Sequence, residues 1–166
     1  MLKYGKQKER MIPMPKVNDL NLLRPDVKDG FLKLKDVMKD RYNVSIIAFE
    51  TFRDDSVQEA YYAQGRMPLT TVNALRVNAG LYTIGEDQNK CIITNSKKSV
   101  YHGTGRAVDV CLVRYEGKKQ ILWWDAPESM WELIGYEAKK LGFVWGGDFR
   151  DSKGRMMKDY GHLQKE

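Results

Sequence analysis

The spacing of apolar positions divides the chain into segments of different period. Residues 1–18 are polar and proline-interrupted and read as a basic arm. Pro25 then suits the first turn of a helix, where its missing N–H leaves no helical bond unmade. Val27, Phe31, Leu34, Met38 and Tyr42 follow at three- and four-residue steps and predict one apolar stripe. Val44 to Phe52 is β-branched and aromatic and predicts a mostly buried strand. Asp54, Asp55 and Ser56 are suited to cap a second helix running to Gln64, with Gly65 as its stop. Between Met67 and Lys90 the pattern weakens: Thr70 to Ala79 has faint helical periodicity, and Gly80 and Gly85 frame a loop.

Cys91 to Thr94 predicts a short strand. Ala107 to Arg114 predicts a longer one, turned at Tyr115 to Lys118 and returning as Gln120 to Trp124 in a hairpin. Pro127 starts a third helix, with Met130, Leu133, Ile134, Ala138 and Leu141 on one face and Gly142 at its close. Phe143 to Gln164 holds a Gly-Gly loop and a last short strand. No internal repeat appears. The sum is a single α+β domain over 1–166, a small, mostly antiparallel sheet with helices on one side.

Composition narrows the class. The chain has 166 residues, 42% hydrophobic and 30% charged, which is ordinary for a folded domain and excludes a low-complexity chain. Its net charge of +6 favours an anionic partner, whether nucleic acid, anionic lipid or cell-wall polymer. Cys91 and Cys111 form no CxxC pair, which excludes a thiolate zinc ribbon; two free buried thiols are favoured over a disulfide. The basic start is followed only by the proline-broken run Met11 to Met14, so no secretory signal is expected. No apolar run approaches the ~18–20 residues of a membrane span. The expected product is made in the cytoplasm without stable membrane insertion.

The two histidines carry the candidate chemistry. Each lies near a carboxylate and among glycines, in Ser99-Val-Tyr-His102-Gly-Thr-Gly105-Arg-Ala107-Val-Asp109 and in Asp159-Tyr-Gly161-His162-Leu-Gln164. In a straight strand His102 and Asp109 would lie on opposite faces ~23 Å apart. If Gly103 and Gly105 adopt positive φ, the chain doubles back and Asp109 approaches His102. His162 would arrive from the last strand as a third ligand, leaving a zinc ion its fourth position for water. A bend at Gly161 would let Asp159 reach that water as general base and then acid. Taken singly, a histidine is more often a hydrogen-bonding residue, an Asp after an apolar run more often a cap, and a glycine pair only a turn.

The stretch His102-Gly-Thr-Gly105-Arg-Ala107-Val-Asp109 resembles the HxxGxAxD signature of the zinc D-Ala-D-Ala carboxypeptidases and phage L-alanyl-D-glutamate endopeptidases, which share a fold with the hedgehog signalling domain. Asp159-x-x-His162 is similar to their second motif, and Trp145-Gly-Gly-Asp-Phe149 to the WGGDW stretch before it. Glu50-Thr-Phe-Arg53 and Tyr62-Ala-Gln64-Gly-Arg66 resemble the ETYR and YAQGR elements of the endolysin branch. The five motifs keep their order from about residue 44 to the end of the chain.

The resemblance implies one zinc per chain on His102, Asp109 and His162, with Asp159 activating water and Arg53 stabilising the oxyanion. It makes Gln64 and Arg66 candidates for a substrate carboxylate; for Arg66, a surface salt bridge with Asp54, Asp55 or Glu59 is weighed equally. Trp145 is a candidate to line the cleft, whereas Trp123 and Trp131 read as core. Three positions depart from the pattern: Val100 stands where the family has serine, with Ser99 one residue earlier; Phe149 replaces the second Trp; and Gly161 stands where proline is common. Residues 67–90 are longer than in compact relatives and read as an insert.

The function implied is a phage-type endolysin, a monomer that cuts the L-Ala–D-Glu bond of peptidoglycan in the periplasm after release by a pore-forming partner. A D-Ala-D-Ala carboxypeptidase or dipeptidase is the alternative with the same chemistry. A basic nucleic-acid-binding domain is the alternative of another class. The scattering of basic residues argues against it, and no nucleic acid is expected among the partners.

Overall fold

The computed structural model describes residues 16–166, so the predicted arm lies outside them except for its last three positions. Helix α1 spans Pro25–Tyr42 and buries Val27, Phe31, Leu34 and Met38, the stripe that the spacing predicts. It ends at Asn43, whose left-handed φ of 54° lets the Val44 N–H reach back to Met38 O at 3.0 Å and turns the chain into β1, Ser45–Glu50. Asp54 caps α2, Asp55–Ala63, by accepting from the Val57 N–H. The weakly periodic segment holds two helices, α3 at Leu69–Asn78 and α4 at Glu86–Asn89. Strands β2, Ala107–Glu116, and β3, Lys119–Leu122, precede α5 at Glu128–Lys140. Two short strands finish the sheet, β4 at Val144–Trp145 and β5 at His162–Gln164.

The sheet runs β1-β2-β5-β4, with β3 on the far end of β2, and every pairing is antiparallel. Val108, Val110 and Leu112 of β2, Ile46 of β1 and Leu163 of β5 point to one face. There α1 and α5 cover them with Phe31, Leu34, Met38, Trp131, Ile134 and Ala138. This is the apolar core of the sheet, and period-two alternation leaves Asp109 and His162 on the other face. The α+β architecture is as expected, but only α1 and α5 form the helical layer. Helices α2, α3 and α4 pack chiefly on one another beside the end of β1.

Several details correct the sequence reading. Cys91–Thr94 is irregular rather than a strand; Gln58 and Arg66 side chains, not a neighbouring strand, bond to Thr94. The hairpin turn is tighter than expected, Gly117-Lys118 alone, because Gly117 adopts φ +62° and strand pairing continues to Glu116 and Lys119. Trp123 and Trp124 therefore fall after β3. Both cysteines are free, but Cys91 is exposed and only Cys111 is buried. Of Gly103 and Gly105, only Gly105 has positive φ.

Candidate metal centre

Three strands deliver one row of polar side chains. Asp109 on β2 is paired directly with His162 on β5 and with Glu50 on β1. Directly opposed residues on one face lie ~4.5–5.5 Å apart at Cβ, close enough for their side chains to interact. Glu50 reaches this row through a β-bulge: the register slips between Ala48, which opposes Val110, and Glu50, which opposes Asp109. Unbulged pairing would bring Phe49 opposite Asp109 and turn Glu50 to the other face.

His102 comes from outside the sheet, on a 3-10 turn spanning His102–Thr104. Gly105 ends that turn at φ +68°, and a Cβ there would lie 2.5 Å from Leu22 O. The turn is thus pressed onto the segment before α1, with Arg24 N–H donating to Gly105 O at 2.9 Å. The result brings His102 Nε2 to 3.1 Å and His162 Nδ1 to 3.0 Å from the same Asp109 Oδ1. One ligand atom from each of the three residues falls within 4.8 Å of the other two.

Asp159 flanks the cluster on a turn closed by the His162 N–H to Asp159 O bond of 3.1 Å. That turn lies against Gly146, where a Cβ would stand 2.3 Å from Asp159 O and 3.0 Å from His162 Cβ. The Asp159 residue is exposed to solvent. Its carboxyl is nonetheless crowded by protein, and burial, then the Asp109 charge, raises its pKa above the ordinary aspartate value; His162, Arg53 and His102 pull the other way. Phe149 sets its ring 5.5 Å from that of His162.

Arg53 approaches Asp109 from the other side, its Nη2 3.4 Å from Oδ2. Its fork is bound to Glu50 through Nε and Nη2, and Nη1 donates to Gln58 Oε1 at 2.9 Å. Glu50 is buried and also receives Lys16 Nζ at 3.2 Å from each oxygen. Burial alone would lower the Arg53 pKa, but the hydrogen bond and charge of Glu50 outweigh it and keep the guanidinium charged.

The remaining candidates lie elsewhere. Gln64 is buried, donating to Gln88 O and accepting from Arg76, so it ties α2 to α3 and α4. Arg66 holds Tyr62 O, Thr94 O and Asn95 Oδ1, a clamp on the 94–95 loop. Trp145 is buried in the core and donates from Nε1 to Tyr160 O, a post beneath the Asp159 turn rather than a cleft wall. Two contributors escaped the sequence reading. Gln58 gave no signal, whereas Gln164, two residues beyond His162 on one strand, shares its face by simple alternation.

Residues 94–165 match the model of a family described as D-alanyl-D-alanine carboxypeptidase. Over 157 residues the chain is 29% identical to the peptidoglycan L-alanyl-D-glutamate endopeptidase CwlK of Bacillus subtilis (strain 168), covering 91% of this chain and 76% of CwlK. The fold is similar to the L-Ala D-Glu endopeptidase ChiX of Serratia marcescens, with TM-score 0.51, 18% identity and 89% and 83% of the two chains covered. It is equally similar to a zinc-bound variant of the vancomycin-resistance D,D-pentapeptidase VanY, with TM-score 0.51, 13% identity and coverage of 86% and 72%. Residues 94–165 thus resemble this peptidase family, and the fold resembles those of ChiX and VanY.

The donor set of His102, Asp109 and His162 fits zinc, the metal bound by the VanY variant. Two imidazole nitrogens and a carboxylate oxygen are a common zinc triad that keeps one position open. His162 Nε2 lies 2.9 Å from Gln164 Oε1, an acceptor, so that nitrogen carries the ring proton. Nδ1 then turns a lone pair towards Asp109 Oδ1 at 3.0 Å, an arrangement that requires a proton or a cation between them. The same pairing holds His162 above the ordinary imidazole value: burial lowers its pKa, but the hydrogen bond and charge of Asp109 outweigh it.

Proposed function

We propose that the chain is a zinc-dependent peptidoglycan endopeptidase that hydrolyses the L-Ala–D-Glu bond of the stem peptide. The observation that carries the reading is the convergence of the chain's two histidines on Asp109, with Asp159 and Arg53 on either side of the cluster. The names of CwlK and ChiX support the bond. His102, Asp109 and His162 would hold the metal, which when bound would supply Lewis-acid polarisation of the scissile carbonyl and acidify water. Asp159, with its raised pKa, takes a proton from the attacking water and returns it to the leaving amine of the D-Glu residue. Arg53 offers its remaining Nη1–H to the carbonyl oxygen as charge builds there, while Glu50 and Gln58 hold its plane fixed. Water adds to the carbonyl carbon, the C–N bond breaks, and the products are a carboxylate and an amine.

A phage endolysin role belongs to the same proposal: a monomer released by a pore-forming partner and acting on the wall, to which its net charge of +6 is complementary. Among the described residues no helix is long and apolar enough to cross a membrane. The test is digestion of purified peptidoglycan with identification of the new amino ends. N-terminal glutamate is the expected product. The family description and VanY favour a second reading, removal of D-alanine from the pentapeptide, and release of free D-alanine without new glutamate ends would establish it instead. Lysis only on co-expression with a pore-forming protein tests the endolysin role.

A further inference from the structure

We propose that Gln164 fixes the tautomer of His162 and thereby aims its Nδ1 lone pair at the metal. Glu166 accepts from the Tyr101 hydroxyl at 3.0 Å through both carboxylate oxygens. A carboxylate can only accept, so the group of Gln164 that faces Glu166 Oε1 at 3.4 Å is its amide NH2. The amide carbonyl must then point the other way, to His162 Nε2 at 2.9 Å. An oxygen there accepts, so the ring carries its proton on Nε2 and leaves Nδ1 bare. Gln164 is buried, and its place opposite Ala107 in the β2–β5 ladder holds the amide in position. Gln164 is a positioning residue: it acts through His162 and touches neither metal nor substrate.

This inference rests on His162 being a zinc ligand, and the experiment separates the two. Full-length protein is loaded with zinc alone, and its dissociation constant is measured by competition with a chromophoric chelator at fixed pH. Gln164→Leu, similar in size but unable to accept, is expected to weaken zinc about 10–100-fold. Gln164→Glu, which still accepts from Nε2–H, is expected to stay within about threefold of the parent, a rescue that bulk and packing alone would not give. Nitrogen-15 spectra of the zinc-loaded parent should show His162 protonated on Nε2, and this measurement stands if Gln164→Leu does not fold. A folded Gln164→Leu that holds zinc as tightly as the parent, or a His162 protonated on Nδ1, overturns the proposal. Full zinc affinity in His162→Ala would instead overturn the ligand reading beneath it.

Discussion

On one side of Asp109, backbone architecture delivers the functional groups; on the other, side chains hold them. His162 is placed by β-ladder register, and His102 by a turn jammed at Gly105 against the segment before α1. Strand pairing fixes the backbone that carries His162, and the jammed turn fixes the one that carries His102. Arg53 lies three residues beyond the last position of β1 and owes its position to Glu50, Gln58 and the ring of Tyr61 beneath it. The ligand side falls within the segment that matches the family model, and the arginine side precedes it. If the proposed roles hold, the contrast implies that metal capacity and oxyanion stabilisation fail separately in this molecule.

The largest effect should come from breaking the ligand side. His102→Ala is expected to lose both zinc and peptidoglycan hydrolysis to background, measured by metal content and digestion. Asp159→Ala should keep near-stoichiometric zinc while turnover drops roughly 10²–10⁴-fold; loss of zinc instead would make Asp159 a ligand. Arg53→Lys tests the other side. It keeps the charge but loses the planar fork, so turnover should fall about 10²–10³-fold with zinc content unchanged.

Gln58→Leu sharpens the comparison further. Its amide donates to Thr94 Oγ1 and Ser96 O while its oxygen accepts from Arg53, so the variant leaves buried groups unpaired. A stability loss of about 1–3 kcal/mol in thermal unfolding is expected, again without loss of zinc. Zinc loss in this variant would show that the two sides are one cooperative unit.

Acid should separate the sides most gently. Because the His162 pKa is raised in the zinc-free fold, protons compete with zinc from above the ordinary imidazole value of about 6.5. In zinc-free protein the sign is opposite. The stability that protonated His162 contributes is complete below about 6.5 and is lost as pH rises through the raised value. Calorimetry of zinc-free and zinc-loaded protein across this range should therefore give opposing slopes.

Much of the scaffold was legible in the chain because it obeys short periods. The Val27-to-Met38 stripe, the Asp54 cap and the α5 face each follow from spacing within a few turns of chain, and burial in the core agrees with them. The pairing of histidines with nearby carboxylates was legible too, since both motifs are local. Failures came where long-range bonds replaced local preference. Cys91–Thr94 looks strand-like, yet Gln58 and Arg66 claim Thr94. The bonds of Gln64 to Gln88 and Arg76, and of Arg66 to the 94–95 loop, were likewise not legible in local spacing.

The sequence by itself determined which elements form and which side chains are able to ligate, because helix and strand periods and side-chain donor chemistry are properties of neighbouring residues. Tertiary structure decided the rest. The bulge that turns Glu50 towards Asp109, the register that sets His162 beside it, and the amide of Gln164 behind that ring all depend on strands distant in sequence. Hydrogen-bond pairing between such strands carries no local period, so only the folded sheet could bring one carboxylate, two imidazoles and one guanidinium to a common point.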